Sequence, residues 1–99
     1  MFDTSVIEEY EDVVYAIQRG HFDEVVQLIE EQEIKLSSEV RPNGETLLHV
    51  AAEFGQMNIL EHLLRMGGSY LQANNANELP IHLAAREGRI TIVKYFLEV

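Results

Sequence analysis

The segment Thr46-Leu47-Leu48-His49-Val50-Ala51-Ala52-Glu53-Phe54-Gly55 returns 33 residues later as Leu79-Pro80-Ile81-His82-Leu83-Ala84-Ala85-Arg86-Glu87-Gly88. A repeat of this length is a single supersecondary unit, too small to bury its own apolar face, so successive units must stack in register. The chain is thereby restricted to a solenoid. Such an array presents an extended surface rather than a cleft that excludes water, which favours binding over conversion of a ligand.

Within each unit the apolar residues recur at helical spacing, as in Leu48, Ala51 and Ala52 and then Ile59, Leu60, Leu63 and Leu64, which predicts two short helices per repeat. Gly55 and Gly88 fall between the two helices of their units, where a tight turn requires positive φ, and Gly67-Gly68 ends the second helix. The segment from Gly68 to Glu78 is rich in asparagine, which favours turns through local hydrogen bonds and tolerates left-handed backbone, so it is expected to protrude as a β-turn finger. Pro80 opens the following helix, where its missing N–H costs nothing.

The segments Thr46-Leu47-Leu48-His49-Val50-Ala51-Ala52 and Leu79-Pro80-Ile81-His82-Leu83-Ala84-Ala85 resemble the Thr-Pro-Leu-His-x-Ala-Ala signature of ankyrin repeats, and Gly88 to Leu97 resembles the second-helix pattern of that family. Leu47 and Leu79 depart from the family's Pro and Thr, and Asn77 stands where a turn glycine is usual. The resemblance implies an all-α stack in one domain spanning residues 1–99: a first unit at about 5–40, a second at about 41–73 and an incomplete third at about 74–99. It also implies that His49 and His82 are scaffold, hydrogen-bonding around the finger and the helix start.

The first unit is degenerate. Gly20 lies 35 residues before Gly55, Ala16 to Arg19 match Ala51 to Phe54, and Leu28-Ile29 match Leu63-Leu64. The two additional residues are expected in the loop from Gln32 to Val40, where insertions cost little. Glu24 and Gln27 occupy the slots of Ile59 and His62, as suits a solvent-facing terminal repeat. Upstream, Ser5-Val6-Ile7-Glu8 reads as a capping box that starts a long first helix from about Val6 to Arg19. At the other end Ile90, Ile92, Val93, Phe96, Leu97 and Val99 make the last helix strongly apolar with no polar cap after it. Two readings follow: the pattern is cut short within a longer protein, or this flank self-associates.

The net charge is −10, and residues 1–39 hold eleven acids against Arg19 and Lys35. This acidic half opposes nucleic-acid phosphate and anionic membrane, so neither is an expected partner; a protein with a basic surface is, unless the acids serve only to solvate the surface. No run approaches the ~20 apolar residues of a membrane span. No secretory signal is visible, so a cytoplasmic setting is the default expectation, or a host cell's cytoplasm for a secreted bacterial effector. With no cysteine, no phosphate-binding loop, no nucleophile elbow and no His-Glu-x-x-His, neither catalysis nor a metal or other cofactor is expected. His21 and His62 are isolated.

Position within the repeat nominates the binding residues. The finger tips are Pro42, Asn43 and Glu45 in the second unit and Asn75, Ala76 and Glu78 in the third. The exposed first-helix positions are Gln18 and Arg19, Glu53 and Phe54, and Arg86 and Glu87. Phe54 is either an exposed aromatic anchor or a ring packed on the adjacent finger. The implied activity is that of a non-catalytic protein-binding module, with a docking or regulatory region of an enzyme and a homodimerising module as alternatives.

Overall fold

The computed structural model describes residues 5–98. Six helices form three antiparallel pairs: α1 (Glu11–Arg19) with α2 (Phe22–Glu31), α3 (Leu47–Glu53) with α4 (Met57–Arg65), and α5 (Pro80–Arg86) with α6 (Ile90–Glu98). No strand occurs among the described residues. The inner helices stack in chain order, α3 packing on both α1 and α5, and the outer helices α2 and α4 touch behind them.

This stacking accounts for the burial pattern. An amphipathic helix covered on one side buries a stripe, as α1 does with Val13, Val14, Ala16 and Ile17. In α3 six successive residues from Leu47 to Ala52 are buried, which is possible only because neighbours cover it from two sides. Each large apolar side chain removed from water contributes roughly 1.5–3 kcal/mol, so this central helix carries much of the cohesion.

Each inner helix closes on a left-handed glycine: φ is 74° at Gly20 and 71° at both Gly55 and Gly88. The next residue's N–H then reaches back to a carbonyl of the last helical turn, His21 to Ala16 at 3.0 Å, Gln56 to Ala51 at 3.0 Å and Arg89 to Ala84 at 2.8 Å. The repeat is therefore one backbone device used three times.

Two local expectations are corrected. The first helix does not start at Val6: Glu8–Tyr10 form a 3-10 turn, and α1 begins at Glu11. The turn starts from Ile7 in extended conformation. Long-range contacts anchor the chain ahead of it, with Val6 buried and the Ile7 N–H bonded to the Val40 carbonyl at 2.8 Å. Finally, the two additional residues of the first unit are not both in the loop, since α2 has 10 residues against 9 in α4. Val99, the last residue of the apolar run, lies outside the described residues.

Candidate protein-binding face

Two fingers project between the helix pairs, and each is closed by its own backbone. In the first, the Val40 N–H donates to the Glu45 carbonyl at 2.7 Å and Gly44 to Arg41 at 3.0 Å; in the second, Asn74 donates to Glu78 at 2.9 Å and Asn77 to Asn74 at 3.0 Å. Gly44 (φ 86°) and Asn77 (φ 63°) occupy the same left-handed position. Only glycine suits the first, because a Cβ there would lie 2.5 Å from the Asn75 side-chain oxygen, whereas asparagine serves in the second. The fingers are bonded to each other: the Asn75 N–H donates to the Asn43 carbonyl at 2.8 Å, and its side-chain amide to the Pro42 carbonyl at 3.4 Å.

A polar network runs beneath them. Arg41 Nη1 donates to Glu45 at 2.7 Å and to Glu53 at 2.5 Å. The Asn74 amide donates to Glu45 at 3.1 Å and to Glu78 at 3.0 Å, and Glu78 pairs with Arg86 at 3.0 Å. Burial opposes the charge on Arg41, but its bonds to Glu53 and Glu45 outweigh that and hold its pKa above the ordinary guanidinium value. The hydrogen bond from Asn74, helped by Arg86, holds the Glu78 carboxyl below its usual range.

His49 locks the first finger to α3 and α3 to the second finger. Its Nδ1 accepts the Thr46 N–H at 3.1 Å, and its Nε2 donates to the Glu78 carbonyl at 2.9 Å. The two bonds fix the tautomer, and burial pushes the imidazole pKa down by disfavouring the charged form. His82 repeats the first bond, accepting the Leu79 N–H at 2.8 Å, but is itself exposed.

The nominated residues separate into three groups. Pro42, Asn43, Asn75, Ala76, Arg19 and Glu87 are exposed as anticipated. Glu53, Glu78 and Arg86 are held in the ion pairs just described, Arg86 remaining exposed and the two acids half-buried. Glu45 is the correction: far from being a finger tip it is 3% exposed, since the chain must turn inward there to start α3 and its carboxylate is neutralised by Arg41. Phe54 is half-buried and packs on the core rather than standing free. Gln18 is half-buried and offers its carbonyl to the Gln56 amide at 3.1 Å.

Arg41 and Asn74 were not nominated. Their signal was their equivalence at the 33-residue offset, one step before each finger tip, but their chemistry differs and the sequence shows no partner at either. Among the described residues no three His, Asp or Glu side chains are grouped to hold a metal, and no helix is long and apolar enough to cross a membrane.

Residues 13–99 match the family profile of ankyrin repeats in three copies. The chain belongs to the ankyrin-repeat family. This repeat is a protein–protein interaction module, in a family that is generally non-catalytic. Alpha-latroinsectotoxin-Lt1a of Latrodectus tredecimguttatus is 33% identical over 61 residues, which are 62% of this ankyrin-repeat chain and 4% of the toxin. Protein phosphatase 1 regulatory subunit 27 of Homo sapiens is 25% identical over 83 residues, 84% of this chain and 53% of that protein. The chain thus spans about half or less of these relatives. The fold matches, with TM-score 0.80 and 22% identity over 89% of this chain and 45% of the other, a solved complex of the Bd0816 predatory endopeptidase from Bdellovibrio bacteriovorus with the immunity protein Bd3460.

Proposed function

We propose that this ankyrin-repeat chain is a non-catalytic module that holds a partner protein against the strip formed by its two finger tips and the exposed ends of α1, α3 and α5. The observation carrying this reading is the backbone bond from Asn75 to the Asn43 carbonyl, 2.8 Å long, which fixes one finger against the other. A preordered surface loses little conformational entropy on binding, so Asn43 and Asn75 offer polar contacts, and Pro42 and Ala76 small apolar ones, at low cost. The partner we infer is basic over part of its surface, as the acid excess of residues 1–39 favours. The name of one relative, a phosphatase regulatory subunit, is in keeping with an enzyme as that partner.

Affinity capture from a lysate of the cell of origin tests the reading. Proteins retained by the wild-type chain should be lost when Asn75→Arg is combined with Arg86→Glu, and kept by Glu61→Lys on the outer helix α4. Retention should weaken as salt screens surface charge. Partners held equally by all three chains would place the binding surface elsewhere.

A further inference from the structure

Asn43 is the one asparagine of the sequence that is followed by glycine, and it stands exposed at the tip of the first finger. The finger contact itself demands that glycine, because Gly44 is buried beneath Asn75, whose side-chain oxygen would lie 2.5 Å from a Cβ. A glycine nitrogen is also the backbone nitrogen least hindered from attacking the side chain before it. In the second finger the corresponding pair is Ala76-Asn77, and Asn58, Asn74, Asn75 and Asn77 all precede residues that carry a side chain.

We propose that Asn43 is a self-modifying site, deamidated by attack of the Gly44 nitrogen, and that the second finger sets the rate. The nitrogen forms a bond to the Asn43 Cγ and gives up its proton, through water, to the departing amide. The Cγ–Nδ2 bond breaks and ammonia leaves, closing a succinimide ring. Water then opens the ring at either carbonyl, giving aspartate or isoaspartate at position 43. One water is consumed and one ammonia released.

Three hydrogen bonds restrain this step. The Gly44 N–H, whose proton must leave, donates to the Arg41 carbonyl at 3.0 Å. The Asn43 Oδ1 accepts the Glu45 N–H at 3.2 Å, which fixes the carboxamide. The Asn43 carbonyl accepts the Asn75 N–H at 2.8 Å, which pins the turn against the next unit. All three lie in a finger tip, whose local opening costs far less than unfolding of the stack. The folded chain therefore reacts, but more slowly than an unfolded one.

Either product places a carboxylate at the finger tip. Isoaspartate also reroutes the main chain through the former side chain, so the carbonyl that holds the Asn75 N–H leaves the backbone. That undoes the bond on which the preordered strip depends, a consequence that rests on the function proposed above, whereas the modification does not.

Asn75→Pro tests the restraint. Asn75 stands where the first finger has Pro42, as second residue of the turn that the Asn77 N–H closes onto the Asn74 carbonyl at 3.0 Å. Proline suits that position and removes the donor to Asn43. Peptide mapping by mass, after incubation of the full chain at neutral and at mildly alkaline pH, should show ammonia exchanged for water at Asn43 and at no other asparagine, faster at the higher pH. The folded wild type should react roughly ten- to a hundredfold more slowly than the same chain in urea. Asn75→Pro, with its helical circular dichroism retained, should react roughly fivefold faster than the folded wild type, and at the wild-type rate in urea. Asn75→Ala keeps the backbone bond and should stay close to wild type. Equal folded rates for wild type and Asn75→Pro would overturn the proposal. So would a folded wild type as reactive as the chain in urea, or one still unmodified at Asn43 after roughly a hundredfold longer incubation. These wild-type comparisons hold even where proline disturbs the turn.

Discussion

At the scale of single residues, polar groups decide more than the motif suggests. His49 is buried at the junction of two fingers and a helix, and works only as a neutral ring that accepts at Nδ1 and donates at Nε2. Its folded pKa lies below the ordinary 6.5 because burial penalises the cation, against smaller opposing pulls from the Glu78 carbonyl and nearby acids. Below 6.5 the unfolded chain takes up a proton that the folded chain resists, so this contribution is complete above that pH and is lost as pH falls from it toward the depressed value. Urea midpoints measured from about pH 7.5 down to about 5.5 should therefore fall, by up to roughly 1 kcal/mol in stability for each pH unit. His49→Gln should be less stable at neutral pH and flatter over this window. Parallel curves for the two proteins would exclude the mechanism. Glu78 does not confuse the test, since its lowered pKa moves stability only below 4.5. The sequence suggested a scaffold role for His49, but not its burial or its second bond, because the Glu78 carbonyl arrives from 29 residues away.

Among the elements, the helix ends carry the repeat. Gly20, Gly55 and Gly88 were legible as turns because no other residue adopts their backbone cheaply, and all three are left-handed in the structure. The end of α2 was not legible. That helix runs one residue longer than α4, and the left-handed position after its cap falls on Glu33 at φ 50°, whereas α4 is followed there by Gly67 at φ 101°. A residue with a Cβ pays about 1–2 kcal/mol in this conformation. Glu33 is exposed, so Glu33→Gly should raise stability by about 0.5–1 kcal/mol after the flexibility of glycine in the unfolded chain is subtracted. Thermal unfolding of the two proteins measures this, and a lower midpoint for the glycine variant would show that the left-handed turn is not the strained point it is taken to be. The start of the first helix escaped sequence reading for a related reason: the bond of the Ile7 N–H to the Val40 carbonyl, which anchors the chain ahead of it, comes from a residue far along the chain.

For the molecule as a whole, stability is distributed as in any one-dimensional stack, each unit leaning on its neighbours. Among the described residues only the middle pair is covered on both sides, and six successive residues of α3 are buried. Amide exchange should accordingly be slowest in α3, which packs on both α1 and α5, and faster in α2 and α6. Uniform protection over all six helices would instead indicate a globular unit that unfolds all at once. The sequence by itself determined the period, the helix pairing, the turn glycines and the polar character of the first outer helix, because these depend on residues close in the chain and on a pattern that repeats. Only the tertiary structure decided which polar residues the stack consumes. Glu45 and Arg41 lie on the same finger, but it is Glu53 from α3 and Asn74 from the next unit that complete their bonds and take Glu45 out of the binding surface. A residue's place in a repeat tells where it stands within its own unit; whether it meets solvent or a neighbour depends on the unit stacked beside it.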